Sequence, residues 1–131
     1  MRLLLDTHIW LWSRGAPKRL SRRVLSALEK STNELWLSPL TTWEVLYLCR
    51  KGRLSLDPDP VQWIKTSLAS VPTREAPLTH EVALATRGIV LPHNDPVDLM
   101  LAATAQVHGL TLVTSDEQLL AGKGFSVLAN R

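Results

Sequence analysis

Short apolar runs alternate with longer helical patterns along this chain. Residues 2–5, 35–37, 110–113 and 126–128 are brief and apolar, as buried strands are. Helical periodicity fills the stretches between them, and each stretch opens on a start signal. Ser21 precedes residues 22–29, Thr41 precedes 42–49, Asp59-Pro60 precedes 61–68, Thr79 precedes 80–86, and Asp95-Pro96 precedes 97–108. Gly52 and Gly109 suit helix C-termini. A fifth strand is expected near residues 74–77, where Pro72 and Pro77 favour an edge position. Strands alternating with helices predict an α/β fold whose mostly parallel sheet is covered on both faces. Ligands in such sheets bind beyond the carboxyl ends of the strands. Asp6 follows the first strand and Asp116 lies three residues past Val113, so both acids are expected at one rim.

Composition narrows the setting. The 131 residues are 45% hydrophobic and 21% charged with no low-complexity tract, which predicts one packed domain over residues 1–131. A lone Cys49 in an apolar stretch reads as a small buried hydrophobe and fits a reducing cytoplasm. No segment approaches the ~20 apolar residues of a membrane span, and Leu3-Leu4-Leu5 is too short for a signal h-region. A net charge of +3 permits a polyanionic partner. Basic residues gather at Arg14, Lys18, Arg19, Arg22 and Arg23, and again at Arg50, Lys51 and Arg53, with none between Lys30 and Arg50. These are two candidate RNA-binding surfaces or two ordinary solvated faces.

The chemistry concentrates in four acidic islands: Leu3 to Thr7, Ser38 to Glu44, His93 to Asp98, and Thr114 to Asp116. A carboxylate ending an apolar strand needs partners for its charge, which singles out Asp6. Glu44 has a competing role, because Thr41-x-x-Glu44 is a capping box. Asp95 ahead of Pro96 makes a good N-cap, leaving Asp98 one turn into the helix. Thr114-x-x-Glu117 is a second capping box that accounts for Glu117 and leaves Asp116 with no structural assignment. Carboxylates gathered at one rim raise one another's pKa unless a cation sits among them. Hard oxygen donors point to Mg²⁺ or Mn²⁺, which polarise phosphoryl oxygens and activate water for phosphodiester hydrolysis.

Asp6-Thr7, Thr41-Thr42-Trp43-Glu44, His93-x-Asp95-Pro96-x-Asp98-x-x-Leu101-Ala102-Ala103 and Thr114-x-Asp116 resemble, in order and spacing, the motifs of PIN-domain proteins. The likeness covers nearly the whole chain and is nearest to VapC-type toxins of prokaryotic toxin–antitoxin pairs. It implies a three-layer α/β/α fold with a parallel five-stranded sheet of order 3-2-1-4-5. It also implies Mg²⁺- or Mn²⁺-dependent endoribonuclease activity, a homodimer, and a cognate antitoxin that inhibits the active site. By position, Asp6, Glu44, Asp98 and Asp116 become the catalytic, metal-holding acids, with Asp95 and Thr114 secondary.

Two rivals compete with this reading. An Asp-based phosphotransferase would want a second Asp two residues after the nucleophile, where His8 stands, and a receiver domain would need a late Lys where only Lys123 is offered. A non-catalytic RNA- or partner-binding module would not need all four acids. The five tryptophans could stack bases, but in a small domain they read as core or interface. His8 and His93 flank the acidic islands, either touching phosphate or serving as hydrogen-bonded structural residues, and neither enters the core set.

Overall fold

The structure, a computed structural model, describes residues 1–131. Five strands, β1 (Arg2–Leu5), β2 (Glu34–Leu37), β3 (Arg74–Glu75), β4 (Thr111–Thr114) and β5 (Ser126–Ala129), form one sheet of order β3-β2-β1-β4-β5. All four pairings are parallel, as the alternation of strands and helices requires. The two-residue β3 does lie at an edge, held to Leu37 through its following residue, Ala76.

Seven helices connect the strands: α1 (Thr7–Gly15), α2 (Arg22–Glu29), α3 (Pro39–Arg50), α4 (Pro60–Ser70), α5 (His80–Ala85), α6 (Pro96–His108) and α7 (Glu117–Leu120). Central β1 is enclosed from both sides. Leu3 and Leu5 face a core with Ile9, Trp10, Val24, Val45 and Ile64, whereas Leu4 faces the opposite core with Leu101, Ala105, Leu112 and Leu119. Burying each such leucine contributes about 1.5–3 kcal/mol, and the strand's period of two divides that contribution between the layers. Small residues Ala102, Ala103 and Ala105 on α6 let that helix lie close against its neighbours. Gly109 ends α6 at φ 65°, a left-handed conformation that an L side chain resists. No helix is long and apolar enough to cross a membrane.

Five local expectations need correction. Helix α1 has no counterpart in the periodicity reading, because its run of Thr, Ile and Trp is short and rich in residues that also suit strands. Helix α3 begins at Pro39, not after Thr41, since Ser38 Oγ accepts from Leu40 N at 3.0 Å and proline pre-sets the first turn. The Thr41–Glu44 capping box therefore does not form; Thr41 is buried within the helix with its hydroxyl unpartnered. The Thr114–Glu117 box is absent too, for Asp116 caps α7 and Glu117 instead pairs with Arg131 at 3.3 Å. Cys49, expected to be buried, is only half-buried.

Candidate metal centre

Each acid of the site caps the start of a helix or lies within its first two turns. Asp6 ends β1 and caps α1, with Oδ1 accepting from Thr7 N at 2.8 Å. Its Oδ2 accepts from Thr114 Oγ1 at 2.6 Å, and the same Thr114 oxygen receives Asp116 N at 3.0 Å. Fully buried Thr114 thereby ties the end of β4 to the end of β1. Glu44, released from any capping role, points from α3 to α1, where the Thr7 hydroxyl donates to its Oε1. Asp95 caps α6 as expected, accepting from Val97 N at 2.9 Å and Asp98 N at 3.2 Å. Asp116 caps α7 through Oδ1, which accepts from Gln118 N at 2.9 Å.

These side chains share one cavity of about 170 Å³, lined by Asp6, His8, Glu44, Asp95, Asp98, Ser115 and Asp116. No hydrophobic residue lines it. All four core acids and Asp95 are brought together, with secondary Thr114 directly beneath them. A larger cavity, about 500 Å³, lies between β2, α3 and α4 and holds no acid cluster. Electrostatics agree with crowding. Burial pushes the Asp98 carboxyl up to about 6, reinforced by the charges of Asp95, Asp6 and Asp116 and opposed by His93. Asp6 is likewise raised, chiefly by burial and secondarily by Glu44, while the Thr114 and Thr7 hydrogen bonds work the other way. Acids held against their own repulsion in a polar hollow are a donor set suited to a hard divalent cation.

His93, left outside the core set on sequence grounds, lies against it: Nε2 is 2.9 Å from Asp98 Oδ2. One donor atom each from His93, Asp98 and Asp116 fall within 4.8 Å of one another. Only the folded loop ahead of α6 creates this contact, so spacing alone could not disclose it. Ser115 and Asn130 were also missed. The Asn130 amide donates to Ser115 Oγ at 2.8 Å and to the Arg19 carbonyl at 3.0 Å, while its oxygen accepts from Ser21 N at 2.6 Å.

That bridge fixes the first basic segment to the acidic rim. Lys18, Arg19, Arg22 and Arg23 are exposed there, whereas Arg14 is half-buried. Arg19 lies over the Trp12 ring at 4.5 Å, and Trp12 meets His8 of the cavity at 5.7 Å between ring centroids. The second basic segment is placed differently. Arg50, Lys51 and Arg53 sit at the far end of α3, a helix spanning about 18 Å from its start beside β2. Of the tryptophans, Trp10 is core, and Trp43, half exposed, stacks on Tyr47.

Comparison with known proteins gives the same picture. The PIN domain family model matches residues 3–123. The chain is 32% identical to Ribonuclease VapC22 of Mycobacterium tuberculosis over 120 residues, covering 89% of this chain and 88% of that protein. Among solved structures, VapBC2 from Rickettsia felis bound to a promoter DNA fragment matches with a TM-score of 0.70 at 16% identity over 98% of each chain. DNA-bound VapBC from Salmonella typhimurium matches with a TM-score of 0.67 at 18% identity, again over 98% of each chain.

Proposed function

The chain belongs to the PIN-domain family, and from that membership we propose that it is a metal-dependent endoribonuclease, the toxin of a toxin–antitoxin pair. The observation that carries the chemistry is the convergence of Asp6, Glu44, Asp98 and Asp116 on one cavity that no hydrophobic residue lines. We assign these four as the residues that hold Mg²⁺ or Mn²⁺. A bound ion of this kind polarises a phosphoryl oxygen and makes water a stronger nucleophile.

The chain's own residues divide the remaining work. Thr7 and Thr114 hold Glu44 and Asp6 in place, so the acids need no reorganisation when a cation and substrate arrive. Asp95 keeps Asp98 in register by capping the same helix turn. The exposed cations from Lys18 to Arg23 neutralise RNA phosphates beside the rim and position the strand across it. The VapBC assemblies among the structural matches, and the toxin–antitoxin complex from Klebsiella pneumoniae, support an antitoxin as protein partner. An antitoxin arginine reaching the acids would neutralise them and block the site. A cytoplasmic homodimer completes the reading.

Cleavage of structured RNA by the purified chain tests it. Activity should require Mg²⁺ or Mn²⁺, vanish in EDTA and in Asp6→Asn or Asp116→Asn, and leave 5′-phosphate ends. Those variants should keep their fold and bind RNA at least as tightly, since a repulsive charge has gone. Cleavage persisting in EDTA would mean that the reaction needs no metal, and 2′,3′-cyclic phosphate ends would mean that the ribose hydroxyl attacked; either result overturns the assignment of the acids. Co-expression with the neighbouring small gene should yield a stable complex and relieve growth inhibition.

A further inference from the structure

We propose that His93 is itself a ligand of the cation, giving this site one nitrogen donor among its oxygens and a preference for Mn²⁺ over Mg²⁺. The inference rests on the metal-site reading above and adds a residue to it. Its first support is distance. Ligands at ~2.1 Å from an octahedral ion lie about 3.0 Å apart when adjacent and about 4.2 Å apart when opposite. Nε2 of His93 and Oδ2 of Asp98 pair directly at 2.9 Å, a separation that two adjacent ligands of one ion would also keep, and a donor of Asp116 falls with them inside 4.8 Å.

Position on the chain supplies the second argument. His93 precedes the α6 cap Asp95 by two residues, so the loop that ends at this cap also carries the imidazole over the N-terminal turn bearing Asp98. The ring is partly enclosed, 26% exposed, and its Nδ1 is buried with no partner outside its own residue. Asp98, which lines the cavity, is the side chain that holds Nε2. Where the ring now meets Asp98 directly, a cation held by Asp98 and Asp116 would lie between the two groups.

A nitrogen donor changes selectivity. Mg²⁺ favours oxygen ligands almost exclusively, while imidazole binds first-row transition ions readily. Losing His93 should therefore weaken Mn²⁺ on the order of tenfold, the scale expected for groups supporting a metal site, while Mg²⁺ affinity changes by about threefold at most.

Pulsed electron paramagnetic resonance of Mn²⁺ bound to the full chain reads the proposal directly. Imidazole ¹⁴N coupling should be present in the wild type and in His8→Ala, and absent in His93→Gln. Calorimetry with Mn²⁺ and Mg²⁺ on wild type, His93→Gln and His93→Asn should show selectivity collapsing, with thermal melts in EDTA confirming that the variants fold. Tight Mn²⁺ binding without imidazole coupling, or coupling that disappears in His8→Ala, overturns the role of His93 and leaves the acid site standing. Absence of any Mn²⁺ binding that Asp98→Asn abolishes overturns the metal-site reading, and this inference with it.

Discussion

Thr114 Oγ1 lies 2.6 Å from Asp6 Oδ2, so a hydroxyl at the end of one central strand restrains the carboxylate at the end of its neighbour. The same oxygen accepts Asp116 N. Thr114→Val preserves shape but removes both bonds, leaving a carboxylate short of a donor and a backbone N–H short of an acceptor. Stability should fall by about 2 kcal/mol, as for loss of a hydrogen bond to a charged group. Turnover should drop by an order of magnitude or more while RNA affinity holds, a split that kcat and equilibrium binding measure separately.

The raised carboxyl of Asp98 predicts how the ion-free protein responds to acid. The folded chain takes up this proton as pH falls through about 6, whereas the unfolded chain does so near 3.8. Between these values the folded state binds more protons, so this group's contribution to stability improves as pH falls through 6 and is least favourable above it. Melts in EDTA from pH 5 to 8 should show that trend, and Asp98→Asn should flatten it and raise the melting temperature above pH 6.

Divalent ions should reverse the trend. Above pH 6 the ionised acids are ready for Mn²⁺ or Mg²⁺, whose binding stabilises the folded state by mass action. Below 6 a proton competes at Asp98, and affinity should weaken by up to about tenfold per pH unit. Calorimetric titration at pH 5, 6 and 7.5 checks the direction. Affinity that does not change over this range would remove Asp98 from the ligand set.

The two basic segments should prove unequal. Lys18→Ala with Arg22→Ala removes exposed charge tethered to the rim through Asn130, and should lower RNA affinity and, on a single-stranded RNA, reduce the slope of log K against log salt by about 1.4, ~0.7 per lost phosphate contact. Arg50→Ala with Lys51→Ala alters the remote end of α3 and should change both far less. Filter binding at several salt concentrations, in the Asp6→Asn background to prevent cleavage, measures the difference.

The start of α3 offers a test of stability alone. Ser38→Ala removes the cap and should cost about 1 kcal/mol. Thr41→Val replaces a buried, unpartnered hydroxyl with a methyl and should be neutral or stabilising. Chemical denaturation of the two variants should rank them in that order.

Much of this architecture was legible because its signals are local. β1 is enclosed on both faces and reads as a continuous apolar run; Asp95-Pro96 and Gly109 bracket α6 within a residue of its ends. Helix starts were less legible where two candidate caps compete, as Ser38 and Thr41 do, since the outcome depends on which hydroxyl the packed core leaves free. Asp116 looked unassigned because a carboxylate's cap bond depends on the loop conformation after β4. His93 meets Asp98 only through the fold of the short loop between them, and Asn130 reaches Arg19 and Ser21 from the other end of the chain; no periodicity encodes such contacts.

Because the acids come from chain segments near residues 6, 44, 98 and 116, the cavity has no local precursor. During synthesis β1 can complete its pairing on the β4 side only after the last quarter of the chain has emerged, and Asp6 lacks its Thr114 restraint until then. A nascent chain on the ribosome is thus expected to be inert, surrounded by RNA it cannot yet cut. Cleavage competence would arrive abruptly with the closing strands, leaving a newly made antitoxin the whole elongation time to accumulate.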